Sequence, residues 1–450
     1  MKINSLNAIS PIDGRYRKKT ESLSKYFSEE SLIKYRLKIE IEYFIALCKI
    51  PLPELKKFNK KFFKNLRDIY LNFSENDALK IKSIEKKTNH DVKAVEYFLK
   101  EKFNELDIKN HNEFIHFGLT SQDINNTAIP LSVKEALKNV YLIELSDIID
   151  SLKKLVYKFR NVTILSRTHG QPASPTTMGK ELNVFCQRLI IQRDNLLKIP
   201  NSAKFSGATG NFNAHYVAYP DINWKKFAKN FVTKNLGLKF SFPTTQIEHY
   251  DSFASLCDNL KRINSILIDF SQDIWLYISQ DYFKQKINLN EVGSSAMPHK
   301  VNPIDFENAE GNLGIANTIF NFFSSKLPVS RLQRDLTDST VLRNVGVPIG
   351  HTLIAFNSIS NGLKKIVINQ EIIKNDLDQN WVVVSEAIQT ILRKEGFKNP
   401  YEILKDLTRN QKIIDKEKLH YFINKLDISN DLKNKLKKIS PHNYIGILKS

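Results

Sequence analysis

Apolar residues recur along most of the chain at helical spacing. After Leu145 they fall at Ile148, Ile149, Leu152, Leu155, Val156 and Phe159, which share one face of a helix. The longest series runs from Phe253 to Tyr277 in alternating steps of three and four, the 3.5-residue repeat of helices packed side by side. A further helix is predicted from near Asp305 towards Phe323. We therefore predict an almost entirely helical protein containing a bundle of long helices.

Local signals refine this picture. Ser174 is a good N-cap and Pro175 suits the first position of a helix, so the pair predicts that a helix starts there. Strand alternation is scarce, and the best strand candidate is the short run 382–384. Polar residues near 110 and the Asn361-Gly362 pair suggest boundaries. These boundaries predict an N-terminal helical domain (1–110), a central helical bundle (111–362) and a C-terminal helical domain (363–450).

The charge balance raises the question of a nucleic-acid partner. Lys and Arg total 67 against 48 Asp and Glu, a formal net charge of +19. The basic runs are short, lack interleaved aromatics and sit in no zinc-finger or helix-turn-helix pattern, so solvated surfaces are the better interpretation and no nucleic-acid partner is expected. A nucleic-acid-binding protein remains an alternative that only the charge supports.

Cysteine use and hydropathy bear on the compartment. Cys48, Cys186 and Cys257 are widely separated and sit in helical patterns, which favours buried free thiols and a reducing compartment. No stretch approaches the roughly 18 continuous apolar residues of a membrane span, and the first residues lack the apolar core of a signal peptide. We expect a cytoplasmic protein with no membrane partner.

Three polar segments interrupt the helical pattern, at 117–127, 166–175 and 293–303. The third has a conformationally free Gly293 at one end and the stiffening Pro298 and Pro303 at the other. Between them lie hydroxyls, a histidine, a lysine and an asparagine, which together could hold a carboxylate and take a proton. Taken singly, each residue would fit a solvated turn. No phosphate-loop or dinucleotide-binding glycine pattern occurs, so ATP hydrolysis and hydride transfer lose support.

The third segment, Gly-Ser-Ser-Ala-Met-Pro-His-Lys-Val-Asn-Pro, resembles the signature loop of the fumarase/aspartase superfamily. Four segments resemble the bacterial-type adenylosuccinate lyases in particular, namely 88–96, 166–175, 304–312 and 334–343. The likeness extends from Ser10 almost to the C-terminus. It implies an all-α, fumarase/aspartase-like fold with a central long-helix bundle and smaller terminal helical domains. It also implies a homotetramer whose active sites are shared, with the segments around His90, His169 and Ser294 coming from different chains.

The resemblance implies a lyase of purine biosynthesis. Fumarate would be released by β-elimination from adenylosuccinate, giving AMP, and from the succinylated aminoimidazole carboxamide ribotide (SAICAR), giving AICAR. Two alternatives stay open, another fumarate-releasing lyase of the superfamily, such as argininosuccinate lyase, and a non-catalytic helical scaffold. The implied partners are small nucleotide substrates and other copies of the chain, with no metal or other cofactor.

The chemistry requires an acid, a base and groups that stabilise charge. Removing a proton beside a carboxylate builds a doubly negative aci-carboxylate, which fixed positive and hydrogen-bonding groups must stabilise. By resemblance, Ser294 is the general base and His169 the general acid. The residues alone do not decide between Ser294 and Ser295, since both follow Gly293, and His169 alone would equally suit a surface histidine.

The remaining predicted site residues bind substrate. Arg15, Arg334 and Arg343 suit phosphate and carboxylates through planar paired donors, and His90 could bind substrate or orient His169. The resemblance implies the following substrate-binding set: Arg15, Tyr16, Asn89, His90, Asp91, Thr120, Ser121, Gln246, Ser295, Lys300, Asn302, Asn308, Arg334, Ser339, Thr340 and Arg343.

Overall fold

The computed structural model describes residues 4–286, 297, 300–409 and 414–447. The chain is 65% helical with few short strands, which confirms the predicted all-α class. Its residues form two compact units, 1–145 with 192–265 and 311–357, and 146–191 with 266–310 and 358–450. The division into three domains stays a prediction. Within the described ranges, no helix is both long and apolar enough to cross a membrane.

Five long helices contribute residues to both units. They are Leu142–Phe159, Met178–Leu196, Asp251–Ser279, Ile304–Lys326 and Gly346–Lys365. The predicted stripe after Leu145 lies on the first, the 3.5-residue series on the third, and the helix expected from Asp305 on the fourth. All three predictions are confirmed.

Further helices, most of them shorter, complete each unit. Those of the first unit are Arg17–Thr20, Ser24–Phe27, Glu29–Leu47, Phe62–Leu71, Glu75–Thr88, Asp91–Glu105, Ser121–Ala136, Asn213–Ala218, Trp224–Asn230 and Thr337–Leu342, with 3-10 turns Glu21–Leu23 and Lys109–Phe114 and π-turns Leu137–Tyr141 and Phe231–Asn235. Those of the second are Gln370–Gln379, Ser385–Lys394, Pro400–Arg409, Lys416–Lys425 and Asn430–Lys437, with the 3-10 turn Trp381–Val384.

The strands are short and pair two by two. Thr163–Thr168 pairs antiparallel with Gln171–Thr177, Phe283–Gln285 antiparallel with Ile366–Ile368, and Ser202–Ala203 parallel with Lys239–Phe240. In the first hairpin Thr168 faces Gln171 across the turn, so only His169 and Gly170 connect the two strands. The hairpin therefore places His169 at its tip.

Each unit has its own apolar core. In the first, Phe44 packs edge-on against Phe58 and Phe103, with ring centroids 5.2 and 4.9 Å apart. In the second, Phe185 meets Phe270 edge-on at 5.4 Å. Cys48, Cys186 and Cys257 are buried and free, as predicted, and burial raises the pKa of the Cys48 thiol to about 12. These thiols act as core side chains, not as nucleophiles.

Two local predictions are wrong. Ser174 and Pro175 lie in the strand Gln171–Thr177, and the next helix begins at Met178, where the Thr177 hydroxyl accepts a hydrogen bond from Lys180 N at 3.3 Å. Pairing with the preceding strand overrides the local cap signal. The strand candidate 382–384 is a 3-10 turn in which Val383 N bonds to Asn380 O at 3.2 Å. A short apolar run does not by itself distinguish a strand from a buried helical turn.

Candidate functional site

Asn89, His90 and Asp91 form the junction between two helices of the first unit. Asn89 is left-handed, with φ of 51°, and ends the helix Glu75–Thr88. His90 caps the next helix, because its Nδ1 accepts a hydrogen bond from Lys93 N at 3.1 Å. Nδ1 is therefore the acceptor, which leaves Nε2 facing the Ser121 hydroxyl at 3.4 Å. The contact brings two sequence-predicted residues from different segments together.

Asp91 lies between two arginines. Its Oδ2 accepts hydrogen bonds from Arg36 Nη2 at 2.7 Å and Arg343 Nη2 at 2.9 Å. Burial alone would raise the pKa of the Asp91 carboxyl, but Arg36 and Arg343 hold it below its ordinary range. Arg343 also pairs with Glu29 at 3.0 Å. Asp91 and Glu29 thus fix the guanidinium of Arg343, and the two carboxylates together balance the charges of Arg36 and Arg343.

A second set of polar contacts surrounds Arg334. Its Nη2 donates to the Ser339 hydroxyl at 2.8 Å and its Nη1 to Gln246 Oε1 at 3.3 Å. Gln246 Nε2 donates in turn to Ala208 O at 2.9 Å, while Gln122 Nε2 donates to Ser339 Oγ at 3.3 Å. Arg334, Gln246 and Ser339, all assigned to substrate binding by the family resemblance, therefore share one hydrogen-bonded group.

A cavity of about 170 Å³, lined by both polar and apolar side chains, lies in this part of the first unit. Its lining includes Arg36, Gln122, Ser339 and Arg343. Arg36 and Gln122, which contribute to that lining, each have one buried atom, Nη1 and Oε1, without a hydrogen-bond partner among the described residues. Because buried polar groups normally have partners, this lining is suited to a polar or anionic ligand.

Other predicted residues stand apart from these contacts. Arg15 is exposed, with its guanidinium carbon 5.8 Å from the centroid of the Tyr16 ring. Thr340 is exposed, and its carbonyl accepts a hydrogen bond from Asn344 at 3.2 Å. Thr120 precedes the helix Ser121–Ala136, and its N–H donates to Asp123 Oδ2 at 2.8 Å.

The second unit carries His169 at the hairpin tip. His169 and Gly170 both have left-handed φ values, 52° and 74°, and both are exposed. Arg167, at the base of the tip, donates to Asp376 at 2.8 Å, and Ser174 on the opposite strand bonds to Glu386. The hairpin is therefore held at its sides. The imidazole itself has no hydrogen-bond partner within the portion of the chain that the structure describes.

Of the remaining predicted residues of this unit, Lys300 and Asn302 belong to the signature segment 293–303, and Asn308 follows it in the sequence. Lys300 is exposed, Asn302 is half-buried, and Asn308 Oδ1 accepts from the Ser358 hydroxyl at 2.9 Å. Ser294 and Ser295 lie outside the described residues. Among residues 4–286, 297, 300–409 and 414–447, no group of three or more His, Cys, Asp or Glu side chains is placed to hold a metal ion.

Among the buried charged residues that sequence reasoning missed, Arg36, Asp123 and Lys204 contact predicted site residues or their segments. Arg36 lies in the helix Glu29–Leu47 between Lys34 and Lys38, so the sequence carries no distinct signal that this charge is buried. Asp123 is the third residue of its helix, where an acidic side chain often closes a capping box. Lys204 offered no signal in a chain this rich in lysine.

Comparison with known proteins places this geometry in context. One family model, described as Lyase, matches residues 14–317, and another, described as Adenylosuccinate lyase C-terminal, matches residues 330–445. The chain is 57% identical over 459 residues to an adenylosuccinate lyase of Dictyostelium discoideum, covering 100% of this chain and 98% of that protein. It is 48% identical over 448 residues to the adenylosuccinate lyase of Escherichia coli (strain K12), covering 99% and 98%.

Solved structures share the fold. A fumarate lyase from Mesorhizobium superposes with a TM-score of 0.75 at 17% identity, covering 95% of each chain. The 3-carboxy-cis,cis-muconate lactonizing enzyme from Pseudomonas putida superposes with a TM-score of 0.73 at 18% identity, covering 95% of this chain and 94% of that one. At such identities the likeness concerns the fold alone.

Proposed function

Because the chain belongs to the adenylosuccinate lyase family, we propose that it releases fumarate from adenylosuccinate, giving AMP, and from SAICAR, giving AICAR, in purine biosynthesis. The structural observation that supports this most directly is the group around Arg334 and Arg343. Arg334 contacts Ser339 and Gln246, and Ser339 and Arg343 both line a cavity of about 170 Å³. Planar guanidinium donors suit the phosphate and carboxylates of such substrates.

The proposed reaction is a β-elimination. The Ser294 oxygen, deprotonated beforehand, takes the proton from the carbon beside a succinyl carboxylate. The electron pair left on that carbon forms the double bond of fumarate, and the carbon–nitrogen bond breaks. His169 donates a proton to the departing nitrogen, so the nucleotide leaves as an amine. Lys300, Asn302 and Ser295 would stabilise the aci-carboxylate.

His169 is well placed for the acid role in one respect. It is exposed at a tight tip, where a ligand can reach it, and its backbone is held by the paired strands. The other predicted binding residues, Arg15, Tyr16, Asn89, His90, Asp91, Thr120, Ser121, Asn308 and Thr340, are proposed to contact substrate as the family resemblance implies.

We further propose a cytoplasmic homotetramer whose active sites each draw on three chains. Long helices of the second unit expose large apolar side chains, with Trp275 and Leu276 43% and 47% exposed on one, and Val184 and Ile191 44% and 55% exposed on another. Exposed apolar stripes on long helices favour association with further helices. Sedimentation as a monomer at micromolar concentration would contradict the tetramer.

Turnover provides the main test. Purified protein is mixed with adenylosuccinate, and ultraviolet absorbance follows the formation of AMP and fumarate. Argininosuccinate serves as the control substrate for the alternative within the superfamily, and no turnover of it is expected. Folded protein that does not convert adenylosuccinate would overturn the proposal.

Subunit mixing tests the shared site. His169→Ala and Ser294→Ala proteins should each be nearly inactive, because acid and base serve one elimination. After subunit exchange the mixture should regain part of the activity, since some sites then receive both wild-type segments. Hybrid tetramers, verified by mass, that regain nothing would place His169 and Ser294 of one site on the same chain.

A further inference from the structure

Asp123 and Lys204 form an ion pair in the interior of the first unit. Lys204 Nζ lies 2.7 Å from Asp123 Oδ1, and both side chains are 0% exposed. Burial lowers the pKa of the Lys204 ammonium, and Asp123 only partly offsets this effect. A buried ion pair contributes little net stability compared with apolar residues of the same volume, so stability alone is a weak explanation for it.

The Asp123 carboxylate joins two separate segments. Oδ1 accepts from Lys204 Nζ and from the backbone N–H groups of Ser206 and Gly207, at 2.8 and 3.1 Å. Oδ2 accepts from Thr120 N at 2.8 Å. A single carboxylate thus ties the start of the helix Ser121–Ala136 to the segment 204–207.

Gln246 is hydrogen-bonded to the residue that directly follows the segment 204–207. Lys204 Nζ also donates to Gly207 O at 2.5 Å, and the next carbonyl, that of Ala208, accepts from Gln246 Nε2 at 2.9 Å. A Cβ added at Gly210 would lie 2.0 Å from Thr244 O, so the backbones of the two segments are in close contact. Movement of 204–210 would therefore move Gln246.

We propose that the Asp123–Lys204 pair positions Thr120, Ser121 and Gln246 for substrate. This inference rests on the proposed function, because it assumes that these three residues bind the nucleotide substrate. Neither Asp123 nor Lys204 needs to touch the ligand, since both act through the backbone and the Gln246 amide. They are positioning residues.

Asp123→Asn tests the proposal with little change in shape. The carboxamide must turn its N–H₂ group either towards Lys204, Ser206 and Gly207 or towards Thr120 N, so at least one donor loses its acceptor. Misplaced binding groups should lower kcat/KM for adenylosuccinate about 100-fold, largely through a higher KM. Titration calorimetry with AMP should show a matching loss of affinity.

Glu42→Gln is the matched control. Glu42 is also a buried carboxylate with several charge-assisted partners, accepting from Arg67 at 2.6 and 2.9 Å and from Tyr70 at 2.9 Å. The change should lower the melting temperature but leave KM and kcat unchanged. If Asp123→Asn does not fold, Lys204→Met replaces it, because this variant keeps the carboxylate and its three backbone donors and should raise KM in the same direction.

Hydrogen exchange separates this inference from the proposed function. Peptides covering 118–122 and 244–248 should exchange faster in Asp123→Asn than in Glu42→Gln. This expectation does not depend on which substrate the wild-type protein converts. A wild-type protein that is inactive on adenylosuccinate would overturn the proposed function alone. Equal exchange in the two variants, or an Asp123→Asn protein that melts earlier with unchanged KM, would overturn the positioning role.

Discussion

The two regions that carry the predicted site residues are built in opposite ways. Around Arg334 and Asp91, in the first unit, nearly every polar side chain is held by another from the same chain, as in the contacts of Arg334 with Ser339 and of Asp91 with Arg36 and Arg343. At the hairpin tip of the second unit, His169 is exposed, and its imidazole lacks a partner within the described chain.

This difference indicates that the two regions have different roles in the proposed reaction, substrate binding in the first unit and proton donation at the tip. Groups that bind a charged substrate gain from being fixed beforehand, because no freedom is then lost on binding. An acid on an exposed tip can be oriented by surroundings that its own chain does not supply, which agrees with the shared site proposed above. Substitutions in the first region should therefore affect both stability and substrate binding, whereas substitutions of the His169 side chain at the tip should affect activity alone.

The largest expected effect is at the tip. His169→Ala should lower kcat by about 10²–10⁴-fold, the usual contribution of a general acid, with an unchanged melting temperature because the side chain is exposed. Turnover of adenylosuccinate and a thermal melt measure the two effects. His442→Ala, which removes another histidine of the same unit, is the control and should keep full activity. A large loss of stability in His169→Ala would end the contrast between the two regions.

Two glycines with left-handed backbones allow a direct comparison of the regions. A Cβ at Gly118, where φ is 67°, would lie 2.8 Å from the buried His215 ring, whereas at Gly170, where φ is 74°, it meets no described atom within 4 Å. Gly170→Ala should lower the free energy of unfolding by about 1–2 kcal/mol because of the backbone conformation alone. Gly118→Ala should cost about 2–5 kcal/mol, since crowding adds to the same strain. Urea denaturation with equal losses at both positions would contradict this.

A smaller effect should depend on pH. Burial lowers the pKa of His215 to about 4, and its ring lies 3.0 Å from the Tyr43 hydroxyl. Since His215 is neutral in the folded chain and titrates near 6.5 when unfolded, stability is retained above pH 6.5 and lost as the pH falls towards 4. The loss at pH 5 should be roughly 2 kcal/mol.

His215→Gln isolates this contribution. The difference in unfolding free energy between wild type and variant should shrink between pH 7 and pH 5, because only the wild type loses stability through this group. Subtracting the variant's value also removes the contribution of other groups, including His116. Burial lowers the pKa of His116, but Glu40 outweighs this effect, so the pKa is raised overall. A difference that does not change with pH would mean that His215 titrates normally.

The sequence predicts the helical fold well because each helix buries one face, and burial repeats with the helical period. The series from Phe253 to Tyr277 lies within the helix Asp251–Ser279, with Leu260, Ile263 and Leu267 all buried. The helix start predicted at Ser174 is wrong because pairing with the preceding strand decides the structure there. A cap signal is local, whereas the strand that replaces it depends on pairing with residues that include Ile164 and Ser166.

The candidate substrate site is harder to predict from periodic patterns in the sequence. Arg334 and Gln246 meet across 88 positions of sequence, and no periodic pattern relates them. The family resemblance assigns both to substrate binding, but nothing in the sequence predicts that they contact each other. Asp123 lay inside a segment recognised as polar, but its role depends on Lys204, 81 positions away. Contacts of this kind are properties of the folded chain, and composition or spacing does not reveal them.

Lys204 also bears on how freely the sequence can change over time. In a chain with 67 lysines and arginines, most basic residues are exchangeable, and drift between Lys, Arg and Asn on the surface costs little. Among the residues that the structure describes, Lys204 is the only buried lysine. Losing either it or Asp123 leaves a charge unpaired in the interior, and losing both still leaves the backbone donors of Thr120, Ser206 and Gly207 without their acceptor. The two positions should therefore change far less freely than the surface lysines, however far the surrounding composition drifts.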